Sequence, residues 1–221
     1  MFQLRLFHDV LQPDVSVTPN RPVPHSILYA YRGSATVDDR QQREGDGLYV
    51  SDYAPIVSGS NGVTIWRWEV VERSSPLGLL EAEGVSSRLK MARDVKMFEL
   101  VPTSKWLFRL DMIMGFQDTT GQHSHPGSGI RCMIHGHLRV ESEKGETSDN
   151  REPGDAWYEE GAYPLVSTVD PGIKTTFLRG MVLPPEFFGY PDSAIWISGQ
   201  PEGGVKNAGH KVIVDQVVTL R

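Results

Sequence analysis

The chain has 221 residues, of which 39% are apolar and 23% are charged, together with 22 Gly and 15 Pro. This composition is typical of a globular protein and excludes a disordered, collagen-like or disulfide-stapled chain. The 22 basic and 28 acidic side chains give a formal net charge of −6, which argues against the basic surface of a protein that coats DNA or RNA. We therefore expect no nucleic-acid partner.

The cysteine content and the distribution of apolar residues bear on where the protein works. Cys132 is the single cysteine and cannot form a disulfide within the chain, so the fold does not depend on an oxidising compartment. No run approaches the roughly 20 apolar residues of a membrane span. The N-terminal segment alternates polar and apolar side chains, as a strand does. We expect a cytoplasmic protein without a membrane partner.

Short runs rich in Val, Ile, Tyr, Trp and Phe follow one another along the chain, separated by turn residues, and they predict an all-β protein. After the N-terminal strand, the predicted strands are Ser26–Tyr31, Leu48–Val50, Val63–Val71, Trp106–Met114, Ile130–Ile134, Leu138–Glu141, Ala156–Glu159, Thr175–Leu183 and Lys211–Leu220. The segment Pro76–Gly84 is the one predicted helix, because its last glycine suits a helix C-terminus. We expect it to act as a linker.

The sequence repeats itself, which indicates two related units. Residues 29–71 align with residues 132–183 when a longer hairpin loop is allowed at residues 142–150 of the second copy. The matched pairs are Gly33 with Gly136, Val37 with Val140, Gly45-Asp46 with Gly154-Asp155, Tyr49 with Tyr158, and Pro55 with Pro164. We predict a degenerate first unit over residues 1–75 and a second unit over residues 85–221.

Two motifs in the second unit resemble those of the cupin superfamily. One is His123-Ser124-His125-Pro126-Gly127, followed at the family's spacing by Gly136; the other is the Pro153-Gly154-Asp155 turn that opens a strand. The family forms are G-x5-H-x-H-x3-E-x6-G and G-x5-P-x-G-x2-H. The chain departs from them at two of the four metal-ligand positions, where Gly129 replaces the Glu and Leu165 replaces the last His.

The resemblance implies a bicupin, with two tandem jelly rolls of the double-stranded β-helix type, the first of them truncated. The first unit has no metal-ligand set, because Asn20, Pro22, Ser26 and Ile56 fall at the four ligand positions. Any chemistry is therefore expected in the second unit.

The second unit contains residues that are expected to converge on one pocket. His123 and His125 leave the same face of a strand, because side chains two positions apart point the same way. The same alternation sends Arg131 and Met133 inward and Cys132 outward. The cupin resemblance also places Trp157 and Glu159 inward. Apolar walls for a small-molecule ligand are expected from Met133, Trp157, Phe108 and Phe177.

Two interpretations of this pocket stay open. In the first, His123, His125 and Glu159 bind a divalent Fe, Mn, Ni or Zn ion in a facial set, and the protein is a dioxygenase, isomerase or lyase that acts on a small carboxylate or enolisable substrate. In the second, Arg131 pairs with Glu159 and its positive charge disfavours a metal. The pocket is then a metal-free site in which His123 or His125 acts as the general base and Arg131 holds a substrate carboxylate or enolate electrostatically. Arg131 and Glu159 are the expected catalytic residues. A binding or sensing module and a scaffold are the alternatives without catalysis.

The remaining histidines and the assembly complete the expectations. His135 and His137 flank the Gly136 turn and are expected to be exposed to solvent. His210 lies in a Gly-rich stretch, from which it could fold back as a further ligand. Cys132 is expected to have a structural role. Outward apolar residues such as Ile134 predict a homodimer.

Overall fold

The computed structural model describes residues 1–96, 104–190, 192–198 and 208–220. Within these ranges, every regular element is a β-strand except one 3₁₀ turn at Pro185–Phe187, and no helix is long and apolar enough to cross a membrane. The all-β prediction is confirmed. The chain divides into two compact units, Met1–Asp94 and Val95–Arg221.

The first unit is built from one seven-stranded sheet. The longest strands, β3 and β6, pair with each other, and the sheet runs in the order β4-β3-β6-β1-β7, with β2 added to β6 and β5 added to β3. The strands are β1 (Phe2–Leu11), β2 (Ser16–Val17), β3 (Val23–Val37), β4 (Arg40–Arg43), β5 (Gly47–Asp52), β6 (Ile56–Glu72) and β7 (Val85–Asp94).

The second unit is built from two five-stranded sheets, with the orders β13-β10-β15-β8-β17 and β12-β11-β14-β9-β16. Its strands are β8 (Lys105–Phe116), β9 (Gln122–Ser124), β10 (Gly129–His135), β11 (Leu138–Ser142), β12 (Thr147–Asn150), β13 (Ala156–Glu159), β14 (Leu165–Thr168), β15 (Thr175–Leu183), β16 (Ile195–Ser198) and β17 (Gly209–Thr219). The first unit is the shorter one and has no strand that corresponds to β16 among its described residues.

One pair of turns matched in the sequence repeat has the same hydrogen bond in both units. Asp46 and Asp155 occupy matching turns, and each carboxylate accepts the backbone N–H three residues before it at 2.9 Å. The preceding Gly45 and Gly154 have φ values of +86° and +87°, which non-glycine residues seldom adopt. The Gly-Asp pairs therefore recur because each one closes the same tight turn between strands.

Two predictions about the junction between the units differ from the structure. Pro76–Gly84 forms no helix, because its backbone carbonyls are used elsewhere: Arg5 binds Pro76 O at 2.7 Å and Arg67 binds Gly78 O at 2.8 Å. Residues 85–94 form β7, which pairs with β1, so they complete the sheet of the first unit. The contacts thus place the boundary after Asp94 and not before residue 85.

Aliphatic side chains fill the interior of the first unit. Leu28 of β3, Leu48 and Val50 of β5 and Ile65 of β6 pack together in one cluster. The second unit has an apolar cluster too, around Met133, Trp157 and Leu165, but that cluster leaves an open cavity beside it. The candidate site therefore lies where the side chains of the second unit leave its interior unfilled.

Candidate functional site

The second unit contains a cavity of about 430 Å³, which is within the range of small-molecule sites. Its wall combines apolar side chains with a few histidines and charged groups. The lining residues are Ile113, Phe116, Thr120, His123, His125, Glu159, Ser167, Phe177, Arg179, Asp192, Ala194, Trp196, Ala208, Gly209 and His210.

A row of charged residues crosses three neighbouring strands beside this cavity. Arg131 on β10 lies opposite Arg179 on β15, which lies opposite Asp111 on β8. All three side chains are buried. Two buried guanidinium groups at adjacent positions repel each other, so each of them needs a carboxylate.

Glu159 supplies the carboxylate for Arg131. Its Oε2 lies 2.7 Å from Arg131 Nη2 and 3.1 Å from His125 Nε2, while its Oε1 accepts the Trp157 indole N–H at 2.8 Å. Burial alone would raise the pKa of Glu159, but Arg131 and these hydrogen bonds hold it well below its usual range. Glu159 is therefore an ionised carboxylate, compensated by a guanidinium inside the wall.

His125 lies between two hydrogen-bond acceptors. Its Nδ1 is 3.1 Å from the backbone oxygen of Ser193, and its Nε2 is 3.1 Å from the ionised Glu159 carboxylate. A neutral imidazole has one N–H and one lone pair, so it can satisfy only one of these acceptors. A neutral ring therefore donates to only one of the two acceptors, whereas a ring with a hydrogen on both nitrogens faces both of them with a donor.

His123 is held differently. Its Nδ1 lies 2.9 Å from Gly121 O, so Nδ1 carries the hydrogen and Nε2 carries the lone pair. Burial, followed by the neighbouring His125, lowers the pKa of His123 to about 4. The two rings are perpendicular, with centroids 5.2 Å apart, and the Trp196 ring lies 5.1 Å from His123. His123 thus presents a neutral ring at the cavity.

Asp111 forms a second group with Arg179 and His210. Arg179 donates to both Asp111 oxygens, at 2.7 and 2.8 Å, and His210 Nε2 lies 3.0 Å from Oδ2. Burial would raise the pKa of Asp111, but Arg179 and the His210 hydrogen bond lower it to about 2. Two of the three histidines at the cavity, His125 and His210, therefore each contact an ionised carboxylate that is paired with a buried arginine.

The wall segment around Ser193 is fixed from behind by Arg109. Its Nη1 donates to Tyr190 O and its Nη2 to Phe187 O, both at 2.7 Å, while Nε binds Asp215 at 2.7 Å. These bonds hold the chain just before the segment that lines the cavity.

Comparison with solved structures gives matches at low identity. Salicylate 1,2-dioxygenase from Pseudaminobacter salicylatoxidans superposes with a TM-score of 0.52 and 10% identity over 81% of this chain and 70% of that one. The structure of its adduct with gentisate superposes with a TM-score of 0.51 and 10% identity, over 81% of this chain and 68% of that one. A cupin 2 conserved barrel domain protein from Leptotrichia buccalis superposes with a TM-score of 0.46 and 13% identity, over 81% of this chain and 83% of that one.

The protein has the cupin fold. No family model and no curated protein matches the chain. The structural likeness, at this identity, establishes the fold alone.

The two departures from the cupin motifs have clear structural consequences. A Cβ at Gly129, the position of the cupin Glu, would lie 2.5 Å from Arg131 Nη1, so the Arg131 guanidinium fills the space that a larger side chain would need. Leu165, at the position of the last cupin His, lies directly opposite His123 and packs in the apolar cluster. Both changes remove a ligand and put a different group in its place.

The residues present do not fit a transition metal as they are arranged. The carboxylate that would replace the missing ligands, Glu159, is already paired with Arg131 and bound by Trp157. Among the described residues, no cluster of three or more His, Cys, Asp or Glu side chains has metal-binding geometry. The predicted ligands His123 and His125 thus lack a third donor.

The other predicted pocket residues divide into two groups. Glu159, the two histidines and Phe177 line the cavity, whereas Arg131, Met133 and Trp157 lie behind its wall. Met133 and Trp157 belong to the apolar cluster, and Arg131 is turned to Glu159. The expectation that Phe108 lines the pocket is wrong, because it lies three residues from Asp111 and so leaves the opposite face of β8.

Several groups at the cavity are not expected from the sequence. Asp111, Arg179 and Trp196 are absent from the predicted site, and His210 is predicted there only as a further ligand. The sequence does contain a signal for Asp111 and Arg179. Asp111 lies in the apolar strand run WLFRLDMIM, and Arg179 lies in the apolar strand run TTFLRGMVL. Such an interruption marks an inward charge that needs a partner.

The remaining histidines and the cysteine lie away from the cavity wall. His135 is exposed as expected, but His137 is buried, with Asp149 and Asp170 at 2.6 and 3.0 Å from its two nitrogens. The expectation for His137 is therefore wrong, because two carboxylates cover it. Cys132 is buried.

Proposed function

We propose that the second unit is a metal-independent enzyme that binds a small enolisable carboxylate and transfers a proton on it. The arrangement of His125 between Ser193 O and Glu159 is the observation that carries this proposal. Nε2 and Oε2 lie 3.1 Å apart at the wall of a cavity of small-molecule size, and in our proposal the proton that is transferred lies between them. Acid–base catalysis needs such a proton within reach of the substrate.

The charged row supports an acidic substrate. Arg179 lines the cavity, and its pair with Asp111 uses Nε and Nη2, so Nη1 is available to a substrate carboxylate or enolate oxygen. This assigns to Arg179 the electrostatic role that the sequence suggested for Arg131. Ile113, Phe116 and Phe177 supply the apolar walls around the body of the substrate.

The first unit supports a functional role for the Arg131–Glu159 pair. Leu28 lies opposite Arg67 as Arg131 lies opposite Arg179, so Leu28 is the counterpart of Arg131. In the same way, Ser26 faces Val50 as Gly129 faces Glu159, so Val50 is the counterpart of Glu159. Both counterparts pack in the aliphatic cluster. The fold therefore forms without this ion pair.

The test uses the chelator-treated chain in deuterium oxide with pyruvate, 2-oxobutyrate and phenylpyruvate as enolisable probes. Proton NMR measures exchange of the C3 hydrogens. We expect exchange above the buffer rate, reduced about 10²-fold or more in His125→Gln and unchanged in His135→Gln. No exchange and no saturable binding with any of the three probes would overturn the proposal.

A metal-dependent dioxygenase, isomerase or lyase is the second candidate, favoured by one observation. Both His123 and His125 have Nδ1 next to a backbone oxygen, the arrangement that orients metal-ligating histidines. Its ligands would be these histidines and Glu159, after Arg131 releases the carboxylate. Activity that is lost with chelator and restored by Fe, Mn, Ni or Zn would establish this candidate and overturn ours.

Saturable binding of a probe without exchange would instead favour the binding or sensing module. The homodimer and the cytoplasmic location stay predictions. Sedimentation of the purified chain checks the first, and fractionation of the source cells checks the second.

A further inference from the structure

A second histidine–carboxylate pair lies at the same cavity, on the opposite edge strand of the five-stranded sheet. Glu159 is on edge strand β13 and His210 is on edge strand β17. His210 lines the cavity, whereas its partner Asp111 is fully buried behind it. The proposed function gives His210 no role.

The environment of His210 determines which of its nitrogens carries the hydrogen. Asp111 Oδ2 lies 3.0 Å from Nε2, and the carboxylate is ionised because Arg179 binds both of its oxygens. An ionised carboxylate only accepts hydrogen bonds, so Nε2 carries the hydrogen. Arg179 Nη2 lies farther from Nε2, at 3.3 Å, so the shorter contact with Asp111 decides the tautomer. Nδ1 therefore carries the lone pair.

Among the residues that the structure describes, Nδ1 of His210 makes no hydrogen bond. A ring held by a buried carboxylate through one nitrogen, with a lone pair on the other, is the arrangement of a general base. The carboxylate fixes the tautomer and stabilises the imidazolium that forms when the base takes up a proton.

Comparison with the first unit separates the structural part of this group from the part that is specific to the cavity. The first unit has a similar ion pair, with Arg67 Nε 2.7 Å from Asp9, and Ser87 donates its hydroxyl to Asp9. Ser87 lies opposite Asp9 on β7, much as His210 lies opposite Ile113 on β17. Phe7 lies opposite Arg67 as Asp111 lies opposite Arg179, so Phe7 is the counterpart of Asp111. The buried arginine thus recurs with the fold, whereas the Asp111 carboxylate and the His210 imidazole belong to the second unit only.

We propose that His210 is the general base of the second unit, oriented by Asp111 and Arg179, and that the reaction is an isomerisation by proton shift. This inference rests on the proposed function and names its missing base. Nδ1 of His210 removes a proton from a carbon next to a carbonyl group, and the bonding electrons stay on the substrate as an enolate. The proton between His125 and Glu159 is then delivered to a different atom of the enolate.

The atoms and charges balance without another reactant. The substrate loses one proton to His210 and gains one from the His125–Glu159 pair, so the product is an isomer of the substrate. The reverse transfer, or exchange with water, resets both histidines. No oxidant or reductant takes part.

The test uses diethyl pyrocarbonate, which acylates an imidazole nitrogen that carries a lone pair, so it needs no substrate. The chelator-treated full chain is labelled at pH 7, and peptide mass mapping follows each histidine. We expect His210 to react faster than the exposed His135. Asp111→Asn is expected to slow labelling of His210 about tenfold or more, because the orienting carboxylate is lost, and to leave His135 unchanged.

An unchanged rate of His210 labelling in a folded Asp111→Asn protein would overturn the inference. If that variant does not fold, nitrogen-15 NMR of the unaltered chain decides, with His210→Gln used to assign the signal. A hydrogen on Nε2 and a lone pair on Nδ1 support the inference, and the reverse tautomer overturns it.

The outcome can be separated from that of the proposed function. Deuterium exchange can fail with every probe while His210 still shows the expected labelling, in which case only the proposed reaction is wrong. Where exchange is observed, His210→Gln is expected to lower its maximal rate about 10²-fold or more without a matching change in the half-saturating probe concentration. A change confined to probe binding would show that His210 positions the substrate and would overturn its role as base.

Discussion

Replacing the Arg131–Glu159 pair by its counterparts from the first unit tests whether the charges serve the fold or the cavity. Arg131 is fully buried and Glu159 is 8% exposed, so neither is screened by water. Removing one partner leaves the other charge buried without compensation, which costs about 3–5 kcal/mol. We therefore expect Arg131→Leu and Glu159→Val each to lower the free energy of unfolding by about that amount.

The double variant is expected to behave differently. With both charges removed, neither side chain of the pair is left as an uncompensated ion, and apolar replacements of buried ion pairs are often neutral or stabilising. The smaller side chains leave some unfilled volume, so we expect a net loss of about 2 kcal/mol or less. Independent effects would instead sum to about 6–10 kcal/mol.

Urea denaturation followed by circular dichroism measures all four proteins. With a slope of about 3 kcal/mol/M, each single variant is expected to lower the unfolding midpoint by about 1–2 M. A double variant as unstable as the sum of the two single variants would refute the reasoning. It would show that the charges stabilise the fold separately and not as a pair.

Three further predictions follow from single groups. The pKa of His123 is about 4 in the folded chain and about 6.5 when unfolded, so the stability that its neutral form contributes is complete above pH 6.5 and is lost as the pH falls to 4. Urea titrations at a series of pH values should show a loss of about 3 kcal/mol in the free energy of unfolding, and His123→Gln should abolish that loss. Gly127→Ala places a Cβ 2.0 Å from Val182 O, a backbone atom, and is expected to cost about 1–3 kcal/mol in thermal unfolding, whereas no loss would contradict that close approach. Arg109→Met removes the bonds to Phe187 O and Tyr190 O, so limited proteolysis is expected to cut residues 187–190 faster, and an unchanged rate would count against Arg109 as the anchor.

The sequence predicted the strands well because each of them is a locally readable pattern. All nine predicted runs after the N-terminal strand fall on observed strands, apart from a single residue at the C-terminal end of the last run. The helix over Pro76–Gly84 was wrong because distant arginines, Arg5 and Arg67, bind its carbonyls, and no local pattern carries that information. The short strands β2, β4, β12, β14 and β16 were not predicted. The longer strand Val85–Asp94 was missed because its alternation is weak and its pairing with β1 decides its conformation.

The site was predictable where it depends on spacing and unpredictable where it depends on strand order. His123 and His125 are two residues apart and both line the cavity, although β9 ends at Ser124, one residue before His125. Contact between Asp111 and His210 joins residues 99 positions apart, because β17 lies next to β8. A polar residue in a strand does not indicate which strand will lie beside it.

The internal repeat distinguishes structural charges from functional ones. Arg5 donates to two backbone carbonyls that follow β6, and Arg109 donates to two that follow β15, so this arginine recurs because both units need it to hold that segment. Glu159 and His210 have no charged or imidazole counterpart: the matching residues are Val50 and Ser87. Because the first unit pairs the matching strands with a valine and a serine at these positions, the strand pairing does not require these two groups, and their place at the cavity is best explained by what the cavity binds.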